Sequence, residues 1–118
     1  MKITVYEYGK CSTCRKAAKF LSTNGHDYSL VDITVKPPSK KLLKEMLDVY
    51  EGNLKRLFNT SGVVYREQKI SQKLADMSNT QAIDMLAKEG KLVKRPFLVV
   101  DGKARAIGFK EEEWGFLK

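Results

Sequence analysis

Two cysteines and one histidine are the whole supply of thiolate and imidazole ligands in these 118 residues. A structural zinc site takes about four ligands, so Cys11, Cys14 and His26 could complete one only with carboxylates or groups from another chain; no metal site is expected. No apolar run approaches the ~20 residues that span a bilayer, and the opening MKITVYEYGK lacks the continuous apolar stretch of a secretory signal. The expectation is a cytoplasmic protein with no membrane contact, in a reducing compartment where a cysteine pair is oxidised only transiently. Internal repeats and Gly/Ser-rich linkers are also missing. At this length the chain predicts one domain, 1–118, with a core of its own.

Acidic residues are outnumbered, 14 against 22 Lys and Arg, for a formal charge of +8. Such an excess can serve nucleic acid. Here, however, the lysines are spread along the chain, and many, such as Lys40, Lys41 and Lys44, fall between apolar helix positions where they face solvent. With no nucleic-acid motif and no aromatic-basic signature, direct DNA binding is not expected. An anionic small substrate or an acidic protein surface fits better.

What the chain does have is concentrated in ITVYEYGKCSTCRKAAKFL, Ile3 to Leu21. Ile3 to Tyr8, rich in β-branched and aromatic residues, reads as a buried strand. Gly9 and Lys10 end it, and a helical period begins at Cys11. The unpaired N–H groups and positive dipole end of that helix favour a thiolate at Cys11, with Lys10, Arg15 and Lys16 adding charge nearby. Cys14, one turn on, shares a face with Ala17, Ala18 and Leu21 and points inward. Small Ser12 and Thr13 leave the first sulfur open to approach. The pattern predicts that Cys11 attacks and Cys14 resolves the resulting mixed disulfide or sulfenic acid. Three plainer readings compete: a zinc site completed from elsewhere, a permanent disulfide that would add little across so tight a loop, and two inert core cysteines, which suits Cys14 better than Cys11.

The rest of the chain supplies a frame for this pair. Asn24-Gly25 caps the helix, His26 falls in a polar turn as a surface residue, and Tyr28 to Ile33 returns as a second, parallel strand. Pro37-Pro38 and the N-cap Ser39 open a helix carrying Leu42, Leu43, Met46, Leu47 and Tyr50 on one face. Gly52-Asn53 breaks it before a short turn through Leu54, Leu57 and Phe58. Asn59 to Gly62 is a polar loop able to offer hydroxyls and N–H groups, and Val63 to Glu67 reads as irregular or extended. A weak helix follows around Ile70 to Ala75, then a helix opened by the Ser78/Gln81 capping box and stopped by Gly90. Phe97 to Val100, the Asp101-Gly102 turn and Ala104 to Phe109 form an antiparallel hairpin. Glu111 to Glu113 start a closing helix that buries Trp114 or Phe116 together with Leu117. The sum is an α/β fold of thioredoxin type, βαβ, a helical insertion at about 37–90, β-hairpin and α, on a mixed four-stranded sheet.

CSTCRKA after the first strand, LFNTSG-x-x-YRE in the middle, KRP before a strand and IGFKEEE near the end together resemble the ArsC/Spx family of thioredoxin-fold proteins across nearly the whole chain. In the arsenate-reducing branch the resemblance implies a nucleophile at Cys11, with glutathione and glutaredoxin completing the cycle, and three arginines on the oxyanion. One of the three is matched, Arg95, before a proline, Pro96, that is characteristically cis and faces the cysteine. Asn59 and Gly108 stand at the other two positions, a loss of two bidentate donors for which Arg66 or Arg105 would compensate. In the Spx branch the resemblance implies a redox switch that binds the C-terminal domain of the RNA polymerase α subunit through a glycine matched at or beside Gly52; an arginine of that branch is replaced here by Thr60 or Ser61. The expectation is a thiol-disulfide oxidoreductase of arsenate-reductase-like kind, with a redox-sensing transcription regulator of Spx type as the alternative. Cys11, Cys14 and Arg95 are its catalytic set; Lys10, Ser12, Thr13, Asn59, Arg66 and Pro96 form its substrate-contacting set. It is expected to be a monomer with no tightly bound cofactor, and to take electrons from glutathione or from a thioredoxin or glutaredoxin.

Overall fold

The computed structural model describes residues 1–118. Its frame is a four-stranded sheet in the order β2-β1-β3-β4, built from β1 (Ile3–Glu7), β2 (Ser29–Asp32), β3 (Phe97–Val100) and β4 (Lys103–Ile107). β1 runs parallel to β2 and antiparallel to β3, and β4 is antiparallel to β3. This is the mixed, thioredoxin-like α/β sheet read from the sequence. The parallel pair is possible because α1 (Ser12–Thr23) supplies the long crossover that such strands need. That helix ends where expected: Gly25 takes φ +74°, and the amides of Gly25 and His26 donate to the carbonyls of Ser22 and Leu21, closing the last turn. The hairpin turn also follows its chemistry, with Asp101 and Gly102 both at positive φ.

Alternation along β3 sends Phe97 and Val99 into one apolar core and Leu98 and Val100 into another. The first core packs the sheet against α2 (Lys40–Val49) and α5 (Asn79–Lys88) through Leu43, Met46, Ile83 and Leu86. The second packs it against α1 and α6 (Glu111–Trp114) through Ala17, Leu21 and Trp114. A register shift opposite Leu98 and Val99 leaves Arg105 out of the β3–β4 pairing. Ala104 and Ile107, three residues apart, therefore reach the same core. Both α2 and α5 begin at a serine whose hydroxyl accepts from a backbone N–H, Ser39 from Leu42 at 3.2 Å and Ser78 from Gln81 at 3.1 Å; Gln81 returns the bond to the Ser78 amide at 2.9 Å.

Four expectations need correction. Val63–Glu67 is a short helix, α3, rather than irregular or extended chain. Its β-branched start is overridden because a helical turn carries Tyr65 into the core beside Phe58, ring centroids 6.1 Å apart. It leads to α4 (Ile70–Lys73), which continues as a 3₁₀ turn over Leu74–Asp76. Gly90 is not a left-handed helix stop: a Cβ there would lie 1.7 Å from the Ile33 carbonyl oxygen, so glycine is required by close backbone approach. His26 is not a free surface residue, since its Nε2 bonds to the Leu117 carbonyl oxygen. Phe109 falls outside β4, which stops at Ile107. Of the closing aromatics, Trp114 and Leu117 are buried, and Phe116 remains exposed. No helix is long and apolar enough to cross a membrane.

Candidate active site

β1 delivers the chain to the mouth of α1, and Cys11 takes the N-cap there with extended backbone, φ −88° and ψ 116°. Its sulfur does what a serine or aspartate oxygen does at most N-caps: it accepts the Cys14 N–H at 3.3 Å. A hydrogen bond to sulfur from an N–H strengthens as the acceptor gains negative charge. The Cys11 amide donates to the Tyr8 carbonyl at 2.9 Å, holding the loop closed. Both cysteines are free thiols; Cys11 is half-buried, whereas Cys14 is 3% exposed. The Cys14 thiol is pushed up to about 12, first by burial, then by its hydrogen bond to the Cys11 side chain, with the charges of Cys11 and Glu7 acting the same way against a lowering bond to the Tyr8 backbone.

A cleft of about 640 Å³ opens beside Cys11. Three parts of the chain wall it: Tyr8, Lys10, Ser12 and Thr13 from the thiol loop; Arg56, Asn59 and Ser61 from the insertion; and Lys94, Arg95, Gly108, Phe109 and Lys110 from the two ends of the hairpin. Five of these are cations, Lys10, Arg56, Lys94, Arg95 and Lys110, and none is a carboxylate. Arg95 lies with its guanidinium 4.9 Å from the centre of the Tyr8 ring and donates to the Lys91 carbonyl at 3.3 Å.

Of the residues expected at the site, Cys11, Lys10, Ser12, Thr13, Asn59 and Arg95 line this one cleft. Cys14 lies buried behind Cys11. Pro96 is buried and does not line the cleft, although the Arg95–Pro96 bond is cis and the Pro96 carbonyl accepts from the Gly108 amide at 2.8 Å. Arg66 is a correction: α3 turns its neighbour Tyr65 inward and leaves Arg66 exposed, away from the cleft. Arg105 is another, because the register shift puts it on the outside of β4, its guanidinium 3.8 Å from the centre of the Phe116 ring.

Several wall residues were missed. Lys94 carried a signal, being adjacent to Arg95 in the KRP motif. The structure gives it a particular place: Gly108 has φ +74°, and a Cβ there would meet Lys94 Cε at 3.2 Å. Lysine carbon thus packs beside one position that the resemblance assigns to an arginine. Arg56 carried no local signal, since a cation in the turn Leu54–Leu57 reads as solvated. It is brought to the cleft from the insertion, and its partners lie outside the cleft. The guanidinium sits 4.4 Å from the centre of the Tyr50 ring and 3.7 Å from Glu113. Tyr50 accepts the Ile107 amide at 2.8 Å and donates to Glu113 at 2.9 Å. Burial raises its hydroxyl above the usual tyrosine range, so the donor proton is retained near neutral pH.

Comparison with known proteins agrees with this geometry. A model of the ArsC family matches residues 6–116. The uncharacterized protein YusI of Bacillus subtilis is 43% identical over 114 residues, covering 97% of this chain and 96% of YusI. The global transcriptional regulator Spx of Streptococcus pyogenes is 30% identical over 111 residues, 94% of this chain and 81% of Spx. Among solved structures, a possible arsenate reductase from Streptococcus mutans superposes with a TM-score of 0.85 at 42% identity, covering 92% of this chain and 91% of that one. A family match over residues 6–116 spans both cysteines and every wall of the cleft, and it leaves one assignment: this chain belongs to the ArsC family.

Proposed function

We propose that the protein is a cytoplasmic thiol-disulfide oxidoreductase acting on anionic disulfides, with Cys11 as nucleophile and Cys14 as resolving thiol. The observation that carries this reading is the asymmetry of the pair: one thiol opens onto a cationic cleft, and the other is buried one turn behind it with its amide on the first sulfur. In the first step the Cys11 thiolate attacks a substrate disulfide; a Cys11–substrate disulfide forms and the other half leaves as a thiolate, which takes up a proton. The Cys14 thiol then loses its proton and attacks Cys11 Sγ, releasing the second substrate thiol and leaving a Cys11–Cys14 disulfide. Two electrons have passed from the dithiol to the substrate, and glutathione or a thioredoxin or glutaredoxin returns them.

The buried proton is part of this sequence. While Cys11 is a free thiolate, its charge and its hydrogen bond hold the Cys14 thiol protonated. Once Cys11 is in a mixed disulfide its charge no longer acts on Cys14, leaving burial and the Glu7 charge against the lowering Tyr8 bond, so the Cys14 proton becomes easier to lose at the step that needs it. Arg95 and the neighbouring lysines balance the charge of an approaching anion.

The test is a turnover assay with small and protein disulfides, coupled to thioredoxin and to glutathione/glutaredoxin, with arsenate in a parallel arm. Disulfide reduction that requires Cys11 is expected, with arsenate reduction at least tenfold less efficient. Asn59 and Gly108 stand where the resemblance places two arginine forks, with a lysine carbon packed beside the second, and a charge-assisted bond is worth about 1.5–3 kcal/mol. Efficient arsenate turnover at low concentration, or no disulfide turnover with either donor, would overturn the reading. The 30% likeness to Spx favours a second function, a redox-sensing regulator. Gly52, the residue matched to that branch's contact, is exposed at φ +81° with open space around it. Retention by the isolated C-terminal domain of the RNA polymerase α subunit distinguishes the regulator.

A further inference from the structure

Arg56 is the one residue that lines both the thiol cleft and a second cleft of about 460 Å³, whose wall includes Tyr50, Arg105 and Glu113. It stands on the partition between them. On the far side it is held by two contacts that neutralise or occupy it, the Glu113 carboxylate at 3.7 Å and the face of Tyr50 at 4.4 Å. Glu113 is itself fixed by the Tyr50 hydroxyl at 2.9 Å, and Tyr50 is fixed by the Ile107 amide at 2.8 Å. Ile107 also lines the thiol cleft. The arginine is thus tied to a rigid support, but the tie is a long ion pair about a third exposed, a class of interaction that competes poorly with a new, better-aligned partner.

We propose that Arg56 is a specificity-determining residue: a reserve cation that leaves Glu113 to meet a carboxylate on the substrate, so that the cleft selects disulfides bearing at least two negative charges. The proposal rests on the oxidoreductase reading for its substrate class and deepens it. Arg95, stacked on Tyr8, supplies one fork. The lysines supply field without fixed geometry. Arg56 supplies the second fork at the wall contributed by the insertion, and Glu113 sets how readily it is released. Removing the charge of Glu113 while keeping its shape frees Arg56, and removing Arg56 deprives the cleft of its second fork.

The experiment compares alkylation of Cys11 by iodoacetate, an anion, with alkylation by neutral iodoacetamide, the ratio being normalised to a free thiol. It needs no turnover, so it remains readable if the oxidoreductase reading fails. In the wild-type protein the ratio is expected to exceed that of the free thiol. Arg56→Gln should lower it by roughly threefold and Glu113→Gln should raise it by roughly threefold, both effects shrinking in high salt. Arg56→Lys should fall between Arg56→Gln and wild type. A parallel kinetic arm uses dianionic 5,5′-dithiobis(2-nitrobenzoate) and uncharged hydroxyethyl disulfide: Arg56→Gln should raise KM for the dianion relative to the neutral disulfide. If either Arg56→Gln or Glu113→Gln leaves the alkylation ratio at the wild-type value, the proposal is overturned, whatever the turnover arm gives.

Discussion

The face of the sheet under α1 and α6 holds a core of nine buried residues, and the opposite face, under the helices of the insertion, holds seventeen. The smaller one carries the thiol chemistry: α1 presents Cys11 at its mouth and packs Ala17 and Leu21 against Trp114 and Leu117. The larger one contributes no thiol. It positions instead the wall that a substrate would meet, Arg56, Asn59 and Ser61, on short turns that could not hold a shape without Leu57, Phe58 and Tyr65 beneath them. The thiol pair and the insertion's share of the cleft wall therefore rest on different cores joined by one sheet, and perturbing either core should disturb one before the other.

The largest expected effect is on the buried thiol. With its pKa pushed up to about 12, Cys14 has a thiolate fraction near neutral pH about three to four decades below an ordinary cysteine's, so mass-resolved alkylation should label Cys11 first and leave Cys14 unlabelled until high pH. The folded value lies above the unfolded one, so the neutral thiol's contribution is complete below about pH 8.5 and is lost as pH rises towards 12. Early labelling of Cys14 in the folded protein would remove the asymmetry between the two sulfurs.

Next is Trp114→Ala. The indole is fully buried, stacked edge-on against Phe20 and Phe109, and donates to the Gly108 carbonyl at 3.1 Å. Its loss should cost about 3–5 kcal/mol in denaturant unfolding and should speed Cys14 labelling by loosening the α1 face. Gly90→Ala tests the other side. Its Cβ would collide with the Ile33 carbonyl, and the backbone shift should cost on the order of 3 kcal/mol, with less effect on Cys14 labelling than Trp114→Ala at matched stability. Equal exposure of Cys14 in both variants would abolish the division between the faces.

The smallest is Ser78→Ala, which removes half of a capping box and should lower stability by about 1 kcal/mol without changing the alkylation ratio at Cys11. A change in that ratio would mean that the walls of the cleft answer to distant helix caps.

These two regions were also unequally legible in the sequence. β1, the cysteine turn, α1 and the Asp101-Gly102 hairpin are written in local pattern, where strand composition, a glycine at positive φ and helical spacing agree. In the insertion the Ser78/Gln81 box was equally clear, but α3 was not, because Val63 and Val64 favour extended chain until Tyr65 finds Phe58. Gly90 resembled a helix stop because its true constraint, the Ile33 carbonyl, lies 57 residues away in sequence (90 minus 33). The cleft divides the same way. Lys10, Ser12 and Thr13 adjoin Cys11, and Asn59 and Arg95 came from motifs, whereas Arg56 reaches the cleft only through tertiary packing. Arg66 was misplaced with α3, and Arg105 by a register shift that alternation alone does not reveal.

The most direct test of the two-cysteine account is to trap its intermediate. Cys14→Ser protein incubated with a dianionic disulfide should accumulate a mixed disulfide at Cys11, seen by intact mass and resolved by added dithiol, while Cys11→Ser should form no adduct and show no turnover. Wild-type protein should pass through to a Cys11–Cys14 disulfide with loss of both free thiols. An adduct on Cys14 in the Cys11→Ser variant at a comparable rate, or a wild-type protein that keeps both thiols free under the same conditions, would contradict the account.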